Sequence, residues 1–200
     1  MILNVTEMLM STADEIVEMI RNYRSGFSPV VPFNVKDDRL LVMDFTEKNK
    51  ALSQEVLADT DRFSRYVDGL LSDREARYGI GGYAEHRGIY KRSNVFDGEA
   101  LAEPRRLHLG VDIWGPAHVP VYAPLAATVH SFAYNSAFGD YGATLILQHE
   151  LKGFVFHTLY GHLSLESIED KTEGVHIERG GLIAHFGEPA ENGNWPPHLH

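Results

Sequence analysis

The chain has 200 residues, 44% of them hydrophobic, which is enough to bury a core in one domain or in one domain with a smaller neighbour. A formal net charge of -10 leaves no basic stripe for a phosphate backbone, so nucleic acid is excluded as a partner. The absence of cysteine excludes disulfide frameworks and thiolate metal sites, and a metal would have to be held by His, Asp or Glu.

The N-terminal stretch "MILNVTEMLMSTADEIVEMIRNYR" mixes acids with its apolar residues and has neither a basic n-region nor an unbroken apolar h-region, so it does not read as a signal peptide. No later run is long enough to span a membrane. The expectation is a cytoplasmic chain, or one of the cell envelope should a leader or export route lie outside this sequence. Within Ser11 to Arg24, the residues Ile16, Met19, Ile20 and Tyr23 recur at helical spacing, and Ser11 or Thr12 is placed to cap the first turn. A short strand follows at "DRLLVMDF", Asp38 to Phe45. From Glu47 to Tyr78, the residues Leu52, Val56, Leu57, Phe63, Tyr66, Val67, Leu70 and Leu71 stand three and four apart and predict one longer helix. Helical periodicity ends at the glycines of "YGIGGYAEHRGIY".

From about Arg106 the chain changes character. The runs "VPVYAPL", "ATVHSFAY", "YGATLILQH", "GFVFHTLYGHL" and "GGLIAHFG" are rich in Val, Ile, Phe and Tyr and are separated by Gly, Pro, Asn and Asp, the pattern of an antiparallel sheet. The fold class is therefore α+β, with helices in the first part and strands in the second.

Eleven histidines need sorting. His118, His130, His149, His157, His176 and His185 stand alone and are assigned no chemistry, because a lone imidazole is more often a solvated or hydrogen-bonded structural group than a ligand. His86 is read the same way, although its turn glycines and its neighbours Glu85 and Arg87 place it nearer a candidate site. Three places differ. In "LHLGVDIW", an extended strand would put His108, Gly110 and Asp112 on one face, with room for an ion where the glycine has no side chain. In the terminal "HLH", the same period puts His198 and His200 on one face and turns Leu199 into the core. In "TLYGHL", His162 ends a strand next to a glycine that lets another group come close. His108, Asp112 and one histidine of the terminal pair form a three-ligand nitrogen and oxygen set, the composition of a catalytic zinc site that keeps a position open for water. The remaining histidines are then available for proton transfer.

The order "HLGVD", "YGHL", "HLH", with "PVYAPL", "DYGATLILQH" and "PPHLH" between and after, resembles the lysostaphin-type or LytM-like zinc metallopeptidases, the Gly-Gly endopeptidase family of bacterial peptidoglycan hydrolases. The likeness covers roughly Arg106 to His200. It implies a groove of antiparallel sheets, the duplicated-hybrid-motif architecture, with Zn2+ on its floor held by His108, Asp112 and His200, and with His162 and His198 unliganded and catalytic. It implies an endopeptidase acting on a peptide or peptidoglycan fragment, either cross-bridge or stem peptide; the alternative is a non-catalytic zinc-binding, wall-peptide-binding or activator module on the same fold. The implied organisation is a helical or α+β extension over residues 1–80 and the LytM-like domain over 81–200, with its C-terminal strand missing. Family turn glycines are replaced here by His118 and Ala127, so a strained positive φ is expected at those two positions.

Overall fold

The computed structural model describes residues 5–93, 95 and 106–200. Residues 1–4 of the stretch weighed as a leader, and residues 94 and 96–105 within the span assigned to the second unit, lie outside the described residues. The first helix, α1, spans Val5–Asn22. Ser11 and Thr12 lie inside it rather than at its start, since the apolar spacing in the sequence continues upstream through Val5, Met8 and Leu9. The single helix expected between Glu47 and Tyr78 is two, α2 (Gln54–Ala58) and α3 (Thr60–Asp73). Asp59 separates them: its backbone is extended and its side chain accepts from Arg62 N, so it caps α3 as Ser53 caps α2. Phe63, Val67 and Leu71, four residues apart, form the buried stripe of α3.

The strands follow in chain order as β1 (Leu40–Met43), β2 (Tyr78–Gly81), β3 (Glu85–His86), β4 (Leu107–His108), β5 (Asp112–Trp114) and β6 (Pro120–Tyr122). After them come β7 (Ala127–Asn135), β8 (Gly142–Leu151), β9 (Phe154–Leu163), the short helix α4 (Glu166–Glu169), β10 (His176–Ile177), β11 (Leu182–His185) and β12 (His198–Leu199). One sheet has the order β1-β2-β5-β12 and a second β10-β7-β8-β9, while β6 pairs with β11 and β3 with β4. The β1–β2 pair is parallel and the other described ladders are antiparallel. The fold is α+β and mainly antiparallel. No helix among the described residues is long and apolar enough to cross a membrane.

Two local expectations fail. The extended run drawn through "LHLGVDIW" is interrupted: β4 ends at His108 and pairs with β3, whereas β5 begins at Asp112 and lies between β2 and β12. Strain at replaced turn glycines is present at His118, with φ 65°, but not at Ala127, which opens β7 opposite Ile177 in ordinary strand geometry.

The first sheet separates two cores. On one side Ile113 and Leu199 pack into a mainly aliphatic core that includes Val121, Val129, Leu145, Leu147 and Ile183, together with Phe186. On the other, Trp114 joins Met43, Phe45, Leu57, Phe63, Val67, Leu71, Ile89 and Trp195. Strand alternation explains the split, since neighbours on β5 point to opposite faces. Trp114 is fully buried, with ring centroids 4.8 Å from Phe45 and 6.0 Å from Phe63. The helical first part of the chain thus supports the strand that carries Asp112.

Candidate metal centre

His108, Asp112 and His200 converge, as the strand period suggested, but by a different route. β5 and β12 are antiparallel neighbours with His198 opposite Trp114 and Leu199 opposite Ile113, which brings the chain end beside Asp112. His108 arrives across the three residues between β4 and β5. The room expected over Gly110 is occupied by the His200 ring, for a Cβ at Gly110 would lie 2.5 Å from His200 Cε1.

Three atoms meet: His108 Nε2 is 3.2 Å from Asp112 Oδ1, His200 Nδ1 is 2.9 Å from the same oxygen, and the two ring nitrogens are 3.1 Å apart. Among the described residues these three side chains form a group able to hold a metal ion. The chemistry of the donors fits a cation. His108 Nδ1 donates to the Gly82 carbonyl at 2.9 Å, so in the neutral ring Nε2 carries a lone pair and faces the carboxylate acceptor to acceptor. An ion at their centre turns that repulsion into coordination. Tetrahedral zinc with bonds of about 2.0–2.1 Å separates its ligands by about 3.3 Å, close to the edges of this triangle.

Asp112 is buried with only 1% exposure. Burial would push its carboxyl up, but the His108 and His200 rings beside it and the charge of Arg87 overcome burial and hold it well below the usual carboxylate range. His200 is the most exposed of the three at 16% and borders a cavity of about 180 Å³ that is also lined by Tyr90, Val95, Gly139, Asp140, Tyr141 and His162.

His162 and His198 stand beside the triangle. The β8–β9 register shifts between Ala143 and Leu145, so Gly161 and His162 bulge out of the ladder, with His162 at φ 60°. A bulge re-aims a side chain at the cost of backbone strain, a combination found where a residue has a task besides packing. The adjacent glycine is needed for close approach: a Cβ at Gly161 would lie 2.6 Å from the Tyr141 ring, and Gly161 N donates to His200 O at 3.1 Å. His198 is stacked between Trp114 at 3.9 Å and His162 at 4.1 Å. His162 Nδ1 donates to Asn192 O at 2.7 Å and His198 Nδ1 to Pro196 O at 2.8 Å, leaving both Nε2 atoms as proton acceptors. Burial lowers both imidazoles, His162 to about 4 and His198 well below its usual value, the latter with the His162 ring contributing.

The isolated histidines bond elsewhere: His118 to Glu188, His130 to Ser131, and His149 to Ala126 O. His86 is exposed on β3, and its neighbours Glu85 and Arg87 are the ones that point inward. Arg87 is the residue that inspection of the sequence missed. It is 2% exposed, and Nη1 donates to Asp112 Oδ2. The available signal was alternation, because an acid and a base two residues apart, flanking an exposed residue, share the inner face of a strand.

Residues 106–200 match the model of peptidase family M23. No curated protein matches the chain with significance. Among solved structures, a zinc-containing peptidase from Vibrio cholerae is 27% identical with a TM-score of 0.38, covering 51% of this chain and 28% of its own. A structure assigned to peptidase M23 from Pseudomonas aeruginosa is 26% identical with a TM-score of 0.34, covering 46% of this chain and 35% of its own. The chain spans about a third or less of the length of those two proteins.

Proposed function

We propose that the chain, whose residues 106–200 match the model of peptidase family M23, is a zinc-dependent endopeptidase that hydrolyses peptide bonds of peptidoglycan cross-bridges or stem peptides. The observation that carries the reading is the triangle of His108 Nε2, Asp112 Oδ1 and His200 Nδ1, with two unliganded imidazoles next to it. Zinc bound to those three residues would supply Lewis acidity to water and to the scissile carbonyl.

The protein's own groups do the rest. His162 lines the cavity and takes up and returns the proton at Nε2, its Nδ1–H being fixed on Asn192 O. His198, stacked on it, is held by Pro196 O and Trp114 and presents its Nε2 lone pair as a second proton acceptor. Both rings are neutral near pH 7 because burial disfavours their charged form, so both are ready to accept a proton. The small cavity between Tyr90 and Tyr141 favours glycine or alanine at the cleaved bond.

The test is digestion of peptidoglycan fragments and a glycine-containing peptide by the purified protein. Cleavage should stop with a chelator and return with zinc. Cleavage indifferent to the chelator, or none by protein loaded with zinc, would overturn the reading.

A further inference from the structure

The motif "GGYAEHRGIY", Gly81 to Tyr90, lies outside the matched region, yet it surrounds the metal centre. Gly82 O accepts from His108 Nδ1 at 2.9 Å, and Ala84 N donates to His108 O at 2.8 Å. Glu85 lies opposite His108 in the β3–β4 pair. Its Oε2 accepts from Arg87 Nε at 2.9 Å, and its Oε1 accepts from Phe45 N at 3.3 Å, which fixes the carboxylate at both ends. The Arg87 guanidinium lies over the Phe45 and Tyr90 rings, at 5.6 and 5.8 Å, and its Nη1 reaches Asp112 Oδ2. Space for it comes from Gly81, which sits opposite Asp112 in the β2–β5 ladder; a Cβ there would be 2.5 Å from Arg87 Nη2.

A carboxylate free to turn about its last bond can offer an ion either oxygen or both. Here one oxygen is taken. Asp112 Oδ2 is held by the guanidinium, and Oδ1 faces His108 and His200. We propose that Arg87 is the positioning residue of the metal centre: it pins Asp112 Oδ2 so that Oδ1 alone is presented to the ion beside the two imidazoles. The inference rests on the zinc reading above and extends it to the part of the chain before residue 106. Arg87 does not touch the substrate. It acts through Asp112, and Glu85 acts through Arg87. Ligand partners of this kind are worth about 10- to 100-fold in metal affinity. Lysine is no equivalent, because an ammonium is a point donor and cannot bond Glu85 and Asp112 in one planar fork.

The experiment measures zinc affinity by competition with a chromophoric chelator in wild type, Arg87→Ala, Arg87→Lys, Glu85→Gln and, as a control on the exposed face of β3, His86→Ala. Circular dichroism and thermal unfolding of the zinc-free proteins report the fold. Arg87→Lys and Arg87→Ala should weaken zinc by about 10- to 100-fold. Glu85→Gln should weaken it less, and His86→Ala should leave it at the wild-type value. Should Arg87→Ala fail to fold, Arg87→Lys and Glu85→Gln carry the decision. A folded Arg87→Lys that binds zinc as wild type does, even with a lowered melting temperature, would overturn the positioning role while leaving the zinc reading intact. Wild type that binds no zinc would overturn the zinc reading and this inference with it.

Discussion

The two sides of the β1-β2-β5-β12 sheet are built from different material. One side is a mainly aliphatic core of Val, Leu, Ile and Ala from β6 to β9 and β11, with Tyr78, Tyr160 and Phe186 as its buried rings and with Leu199 and Ile113 pointing into it. The other is richer in aromatic rings, with Trp114 packed against Phe45, and Phe63 bridging Trp114 and Trp195. The rigid, flat rings lie behind the histidines, where His198 stacks on Trp114 at an interplanar angle of 10°. Aliphatic packing fills volume, and its members exchange with modest loss when volume is kept. A ring that serves as the back wall of an imidazole also fixes an orientation. The difference predicts that damage on the first side changes stability alone, whereas damage on the second changes stability and chemistry together.

The largest effects should come from the imidazoles themselves. His162→Ala and His198→Ala should each lower turnover by roughly 10²- to 10⁴-fold with zinc retained, the loss expected for general acid–base groups. Peptide hydrolysis and metal content measured on the same samples check this.

A second pair compares the cores directly. Trp114→Ala should destabilise by about 3–5 kcal/mol and Leu147→Ala by about 2–5 kcal/mol, since both side chains are fully buried. At a temperature where both variants are folded, Trp114→Ala should also lose turnover because His198 loses its wall, while Leu147→Ala should keep it. Equal activity in the two would erase the distinction between the cores.

How much of this was legible in the sequence depends on the range of the interactions involved. Strands β7, β8 and β9 follow from runs of β-branched and aromatic residues between turn signals, because alternation is local. The placement of His198 and His200 was legible for the same reason: "HLH" imposes a period of two, and Leu199 does turn into the core. The run through "LHLGVDIW" was not, because its break depends on which strands the two ends join, and β3, β2 and β12 come from distant parts of the chain. The helix break at Asp59 was local but hidden, since apolar spacing continues through it while a side-chain cap starts a new helix. Arg87 was hidden because an arginine among turn glycines ordinarily faces solvent; only the long-range pairing of β2 with β5 buries it against Asp112.

The smallest effect concerns a buried histidine outside the candidate metal centre. His149 on β8 is 1% exposed, with Nδ1 donating to Ala126 O at 3.1 Å. Burial lowers its pKa from 6.5, with the nearby His157 adding to the shift against the opposing Ala126 bond. Below pH 6.5 the unfolded chain therefore takes up a proton there before the folded one, and stability falls with pH. The contribution is at most about 1.4 kcal/mol per pH unit, the limit for one proton. Thermal unfolding between pH 7 and 5 should show a steeper loss in wild type than in His149→Gln. An identical slope would remove His149 from the acid response and leave it to other groups.

The central claim is that His108, Asp112 and His200 hold zinc while His162 works beside it. Elemental analysis of wild type, His200→Ala and His162→Ala, purified without chelator, tests that division most directly. The account predicts one zinc per chain in wild type and in His162→Ala, and loss of zinc in His200→Ala, which removes one of three protein bonds to the ion. Full occupancy in His200→Ala, or an empty His162→Ala, would contradict it.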